Sequence, residues 1–381
     1  MHTPSGSFVR LGGRGMPHRA IGVVVACLAF VAGGLGTAGA EPPPVRPRGD
    51  SAVISRVPER GFPEGLAISG NRMYVSSPAQ NAQTGPAQIF VFDTATGAYV
   101  MKYDIPATDP ITDHGLVGIA LDGSGHLYVA DIPRGIVQLK RSSGASNTYA
   151  TVPDIPPCLP LPLLPGPCSP TVGDRAPFPN DIVFDAAGNA YVSDSAQATI
   201  WKLAPPPAVP PGQKATAQVW YQDAVLDGAL GANGVRLSPD GKELCVAVFG
   251  PPGSVHCIAV VNGKAGARRQ LPATTEGPDN LTFGESGKMY VALALSNQVV
   301  VLDYPSGTEL ERFSGPAKSP SGDVPWDAPA SVAFDNTTKS LRVTNHALVT
   351  GLVDKSRFVV FDVYVDDTAF PLHRPALPWT G

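Results

Sequence analysis

The stretch from Gly277 to Asp303, GPDNLTFGESGKMYVALALSNQVVVLD, limits what this chain can fold into more than any other feature. It reads as a Pro-led corner, a short strand LTF, a GESG turn, a strand KMYVA, a polar LSN turn and a strand QVVVLD. Strand-forming runs bounded by Gly, Ser and Asn clusters give that reading. The unit is written five more times: FPEGLAISGNRMYVSS from Phe62, DHGLVGIALDGSGHLYVADIPRGIVQLK from Asp113, FPNDIVFDAAGNAYVSDSAQATIWKL from Phe178, ANGVRLSPDGKELCVAVF from Ala232 and APASVAFDNTTKSLRVTNHAL from Ala328. The opening residues of the copies, in chain order, are Glu64, His114, Asn180, Asn233, Asp279 and Ser331, with spacings of 50, 66, 53, 46 and 52 residues.

A sheet of three or four strands cannot bury both faces alone, so units of this length stack radially around an axis. The expected fold is all-β, a six-bladed propeller with a central channel. The inner strand of every blade then runs the same way and brings the six opening residues to one mouth. Ala52 to Val57 alternates as a strand ahead of the first full copy, whereas the last copy ends after Phe358 to Val365 without an obvious fourth strand. The N-terminal strand is therefore expected to complete the last blade and leave no open edge.

Glu64, Asn180, Asn233 and Asp279 put oxygen-bearing side chains at one repeat-equivalent corner in four blades. Two carboxylates with amide carbonyls and waters suit a hard divalent cation, calcium first, which takes six to eight oxygens. Singly, each residue has a plainer reading. Asn233 with Gly234 is a tight-turn pair, Asn180 with Asp181 and Asp279 with Asn280 suit strand-end caps, and Glu64 after a proline suits a solvated corner. His114, at the same mouth, is either a proton carrier near neutral pH or a satisfied corner residue. His346 ends a strand of the last copy, and the sequence leaves open whether it faces channel or rim. The chain has no G-x-S-x-G elbow, and GESGK at Gly284 to Lys288 lacks the first glycine of a phosphate loop.

The corners PEG with Glu64, PND with Asn180, ANG with Asn233 and PDN with Asp279 and Asn280 resemble those of the senescence marker protein 30 and gluconolactonase family, and more distantly the serum paraoxonases. The resemblance runs from about Ala52 to Asp366. It implies a six-bladed propeller that hydrolyses lactones or esters with a divalent metal in the channel. It further implies that Glu64, Asn233 and Asp279 bind metal, that Asn180 touches substrate or metal, and that Asn280 joins the ligands as in the paraoxonase pattern. DHG at Asp113 to Gly115 is similar to the paraoxonase HG motif, whose His belongs to a proton-relaying pair. The partner His is missing here, and Asp131 stands near its place. Asp279 and His114 are thus the two candidate bases for activating water.

Residues 1–40 carry Arg10, Arg14 and Arg19 ahead of an apolar run from Ile21 to Ala32, with Ala38, Gly39 and Ala40 as a small-residue cleavage site. They read as a signal peptide, with a retained membrane anchor as the alternative, and the mature protein as secreted or periplasmic. Residues 41–50 read as a proline-rich lead-in that does not pack, and residues 51–381 as one propeller domain. The four cysteines after the leader suggest two bridges in an exported protein, Cys158 to Cys168 and Cys245 to Cys257. A zinc site would call for closer cysteine pairs. A net charge of −4 without a basic tract argues against nucleic acid, and a single chain acting on a small molecule is expected. The substrate would be set by rim loops such as Thr108 to Asp113, Pro153 to Phe178 and Gly315 to Asp327, with Trp326 and Phe178 either lining an apolar wall or packing between blades.

Overall fold

The structure, a computed structural model, describes residues 45–59, 61–78, 86–106, 115–158, 168–171, 173–204, 214–273 and 275–381. The leader, residues 41–44 of the lead-in, His114 and the middle of the proline segment at 159–167 lie outside the described residues.

Six sheets make the fold, antiparallel throughout except where the short strand Ala215–Thr216 runs parallel to Ala145–Thr151. Their innermost strands are β2 (Leu66–Ser69), β6 (Leu116–Leu121), β10 (Pro179–Phe184), β15 (Gly231–Leu237), β19 (Pro278–Phe283) and β23 (Pro329–Asp335). Each adjoins the next, and β23 adjoins β2, so the blades close a ring around a channel. The last sheet takes its outermost strand, β1 (Ser51–Arg56), from the other end of the chain, paired antiparallel to β25 (Val359–Tyr364). This is the expected closure, and it covers the edge that β25 would otherwise expose. The expectation for the lead-in fails where the residues are described. Arg46 reaches Asp362 at 2.6 Å and Arg48 grips Glu311 at 2.9 Å, so charge ties down a segment with no apolar face to bury.

Every blade is covered on both faces by its neighbours, which explains why strands such as MYVA and VVVLD are apolar without alternation. The core divides into six clusters, one per seam. Trp326 sits in the seam between the fifth and sixth blades, stacked on Phe361 at 5.4 Å, and Phe178 packs against the seam between the second and third. Both serve packing. The disulfides Cys158–Cys168 and Cys245–Cys257 are formed, the second between directly paired strand residues. No α-helix occurs among the described residues, and no helix there is long and apolar enough to cross a membrane.

After the last blade the chain crosses the face of the disc at the C-terminal ends of the inner strands. Asp367 is buried and accepts from the Tyr290 hydroxyl at 2.8 Å, and the Phe370 N–H donates to the Phe283 carbonyl at 2.9 Å. The Arg374 guanidinium donates to the Ile68 carbonyl at 2.6 Å, and the Gly123 N–H donates to Pro375 at 2.8 Å. Leu377 then enters the seam between the second and third blades.

Candidate metal centre

The site begins with a backbone irregularity repeated around the ring. In blades two to six the inner strand slips register near its start, between Leu116 and Ile119, Pro179 and Ile182, Ala232 and Val235, Pro278 and Leu281, and Pro329 and Val332. Two residues there face one on the neighbouring strand, and such a bulge re-aims a side chain that the regular pleat would send into the sheet face. In blade one the corresponding pair is Glu64 and Gly65, held by the Glu64 N–H to Ser76 carbonyl bond and its Ser76 N–H to Gly65 carbonyl counterpart, both 3.0 Å.

This register brings Glu64, Asn180, Asn233 and Asp279 to one equivalent position, with Val117 and Ala330 completing the ring. Two of the six sequence-read openings are corrected by it. Blade two contributes Val117, three residues after His114, and blade six contributes Ala330, with Ser331 one place further on. The second bulge position holds Gly65, Gly118, Asp181, Gly234, Asn280 and Ser331.

The glycines are there because the bulges touch. A side chain on Gly65 would collide with the Val117 carbonyl, one on Gly118 with Asp181, and one on Gly234 with the backbone of Asp279 and Asn280. Hydroxyls from the second strands brace the same collar. Ser76 Oγ accepts from the Gly65 N–H and donates to the Val117 carbonyl at 2.5 Å, and Thr344 Oγ1 accepts from the Ser331 N–H and donates to the Glu64 carbonyl, both at 2.8 Å.

Hydrogen bonding also orients the amides. Ser195 Oγ gives its proton to the Ala232 carbonyl at 2.8 Å, so it must accept from Asn180 Nδ2 at 3.0 Å, which leaves Asn180 Oδ1 as the group's outward acceptor. Asn280 Nδ2 donates to Asp181 Oδ2 at 3.1 Å, a carboxylate that can only accept. The consequence is that Asn280 Oδ1 and Asp181 Oδ1 are buried without a hydrogen-bond partner. Orphaned buried oxygens beside carboxylates are expensive unless a cation or water meets them. The donor set therefore fits a hard divalent cation, with Glu64, Asn180, Asn233, Asp279 and Asn280 able to hold it.

Charge concentrates here. Burial, reinforced by the Glu64 and Asp181 carboxylates, raises the pKa of Asp279 well above the usual carboxylate range. Asp181 is answered from within the protein. Its Oδ2 takes the Arg236 guanidinium at 2.6 Å and the Val235 N–H at 3.0 Å. His346 Nδ1 lies 3.0 Å from Glu64 Oε2. Burial by itself would lower the imidazole pKa, but the Glu64 carboxylate and backbone carbonyls outweigh it and raise it. Asp181, Arg236 and His346 are the site residues that sequence reasoning did not select. A buried strand-interior Arg is the one signal that could have pointed to the first two, since such a charge needs an acid nearby.

Ser254 and His256 form the other arrangement that looks catalytic, with Oγ to Nε2 at 2.9 Å. Arg268 Nη1 points at Nδ1 from 2.9 Å, and a guanidinium has only protons to give. Nε2 of the neutral ring must then carry the proton, so this His cannot act as the serine's base. Glu243, Cys245 and Cys257 cluster as well, but the sulfurs are joined in a disulfide and Arg269 holds the carboxylate.

No protein-family model matches the chain, and no curated protein matches it in sequence. Solved structures do match its fold. Regucalcin of Agrobacterium tumefaciens, described as a calcium-binding protein, superposes with a TM-score of 0.58 at 14% identity, over 86% of this chain and 97% of its own. A luciferin-regenerating enzyme gives 0.57 at 16%, over 86% and 99%. A gluconolactonase of Xanthomonas campestris gives 0.54 at 15%, over 84% and 99%. These neighbours agree with the family resemblance read from the corner motifs, and at this identity they establish the six-bladed fold.

Proposed function

We propose that the protein is a divalent-metal-dependent hydrolase of lactones or esters, with its metal centre in the collar at the channel mouth. The observation that carries this reading is the shared register position of Glu64, Asn180, Asn233 and Asp279 in four blades, beside which an Asn280 oxygen and an Asp181 oxygen are buried without a hydrogen-bond partner. Gluconolactonase and calcium-binding regucalcin among the structural neighbours support it.

Calcium, the cation best matched to all-oxygen donors, supplies a Lewis acid that polarises an ester carbonyl. The chain's own residues do the rest. Glu64 and Asp279 bring two negative charges to one buried locus, while Asn180, Asn233 and Asn280 add neutral carbonyls. Asp279, one of the two candidate bases, takes a proton from the attacking water. His346 holds the Glu64 carboxylate in place from beside it. His114, the other candidate base, stands just before the described start of blade two. The apolar leader and the two disulfides support a mature protein that is secreted or periplasmic, where a single chain acts on small molecules.

The test is a panel of lactones and aryl esters assayed with and without calcium, for the natural sequence and for Asp279→Ala. Hydrolysis that needs calcium and is lost in the variant supports the reading. Calcium binding without turnover of any substrate would instead indicate a non-catalytic binding propeller.

A further inference from the structure

The opposite end of the channel holds a separate cavity of about 310 Å³, at the small end of the range for ligand sites. Its roof and walls come from the C-terminal halves of the inner strands, including Phe184 and Phe334, and its floor from the crossing C-terminal segment at Phe370 to Arg374. Most of this surface is aliphatic or aromatic. Arg236 is the buried charge inside it, with Thr282 the other buried polar residue of the lining. The residue is 6% exposed and lines the cavity, and its Nη2, unlike the Nη1 that holds Asp181 and the Val235 carbonyl, makes no hydrogen bond among the described residues. An N–H donor left unmet in so apolar a place is unfavourable, and none of the lining's few oxygen-bearing side chains, Thr282, Glu285 and Asn336, is hydrogen-bonded to it.

From these features we infer that the cavity is a second small-molecule site, which takes a compact neutral molecule with an apolar body and one carbonyl oxygen directed at Arg236. Neutrality follows from the local charges. Arg236 is matched by Asp181, while Arg374 and Glu285 contribute one charge of each sign to the lining, so His373 apart the charges cancel. An anion would surrender its hydration without finding a free counter-charge. A pure hydrocarbon would fill the space but leave the Arg236 donor unmet. The site is distinct from the collar and needs no metal.

The probe is cyclohexanone, with benzene as its apolar counterpart and benzoate as the anion, titrated by ligand-observed NMR against the full mature chain without added metal. Absence of metal keeps the outcome separate from that of the hydrolase reading. Saturable cyclohexanone binding is expected, tighter than benzene, with benzoate weakest. Ala120→Phe and Ala333→Phe, on different inner strands of the lining, should each weaken it about tenfold or more. A crystal soaked in cyclohexanone gives a readout independent of either variant folding, with the ring expected above the C-terminal segment and its oxygen against Arg236. Binding no tighter than benzene, tighter benzoate, indifference of a folded filling variant, or a soaked cavity without the ketone would each overturn the proposal.

Discussion

Where the inner strands begin, bulges set Asn180, Asn233 and Asp279 at one equivalent position, which Glu64 shares in blade one, with Asn280 next to Asp279. Where the same strands end, the lining is Phe184, Phe334 and aliphatic side chains, and the C-terminal segment is tied across the opening. The strands are identical, so the contrast is not one of architecture. It arises because the bulge frees two residues per blade from sheet packing, whereas the regular halves keep their side chains in the seams. Polar function is thus possible at one end and costly at the other. Arg236 stands between them, holding Asp181 on the collar side and lining the cavity on the other.

The largest effect should come from the collar. Asp279→Ala is expected to lower calcium-dependent ester hydrolysis by about 10³-fold, the scale of losing a principal electrostatic stabiliser. Isothermal titration should show weakened calcium binding in this variant and in Glu64→Gln, while cyclohexanone binding at the far end stays unchanged. Equal loss of both would mean that the two ends are a single site.

The next effect concerns the residue between them. Arg236→Met leaves Asp181 buried and unpaired, which should cost about 3–5 kcal/mol in urea denaturation. Combining it with Asp181→Asn removes the stranded charge and should recover most of that loss. If the double variant is no more stable than the single one, Arg236 acts through packing and the pair does not join the two ends electrostatically.

A change remote from both ends provides the control. Burial, then the neighbouring Arg268, lowers the His256 pKa to about 4 from an ordinary value of 6.5. The folded chain therefore refuses a proton that the unfolded chain accepts between those values. Stability is complete above pH 6.5 and falls as pH drops toward 4, by about 3 kcal/mol. His256→Gln should flatten that part of the pH–stability curve and leave calcium affinity unaltered. A collar that weakens along with it would show that blade four transmits strain to the channel.

Much of the collar was legible because repetition exposes it. Four oxygen-bearing residues at matching places in four copies stand out even when each alone is unremarkable. The exact register was not legible, since a bulge sets two residues against one and no residue type marks which of the two turns inward. His114 and Ser331 were therefore aligned in place of Val117 and Ala330. Asp181 and Arg236 stayed hidden for a related reason: in PND and NGVRL they look like a cap and a solvent-facing strand residue, and only the ring brings blades three and four together. The far end offered no pattern at all. Residues after Asp366 repeat nothing, and their anchors are mostly backbone carbonyls, which leave no trace in side-chain type.

That far end gives the smallest effect and the sharpest separation. Asp367 accepts from the Tyr290 hydroxyl, the Ser286 N–H and the Thr368 N–H, so Asp367→Ala strands several donors in a partly buried place. A cost of about 1–3 kcal/mol in thermal or urea unfolding is expected. Hydrogen exchange should rise at Phe370 and Gly123, whose N–H groups bond across this junction, and not at Ser331 or Gly65 in the collar. Calcium affinity and ester turnover should match those of the natural sequence. If loosening the floor instead lowers calcium affinity, the C-terminal segment supports the collar through the full depth of the channel, and the two ends are mechanically one.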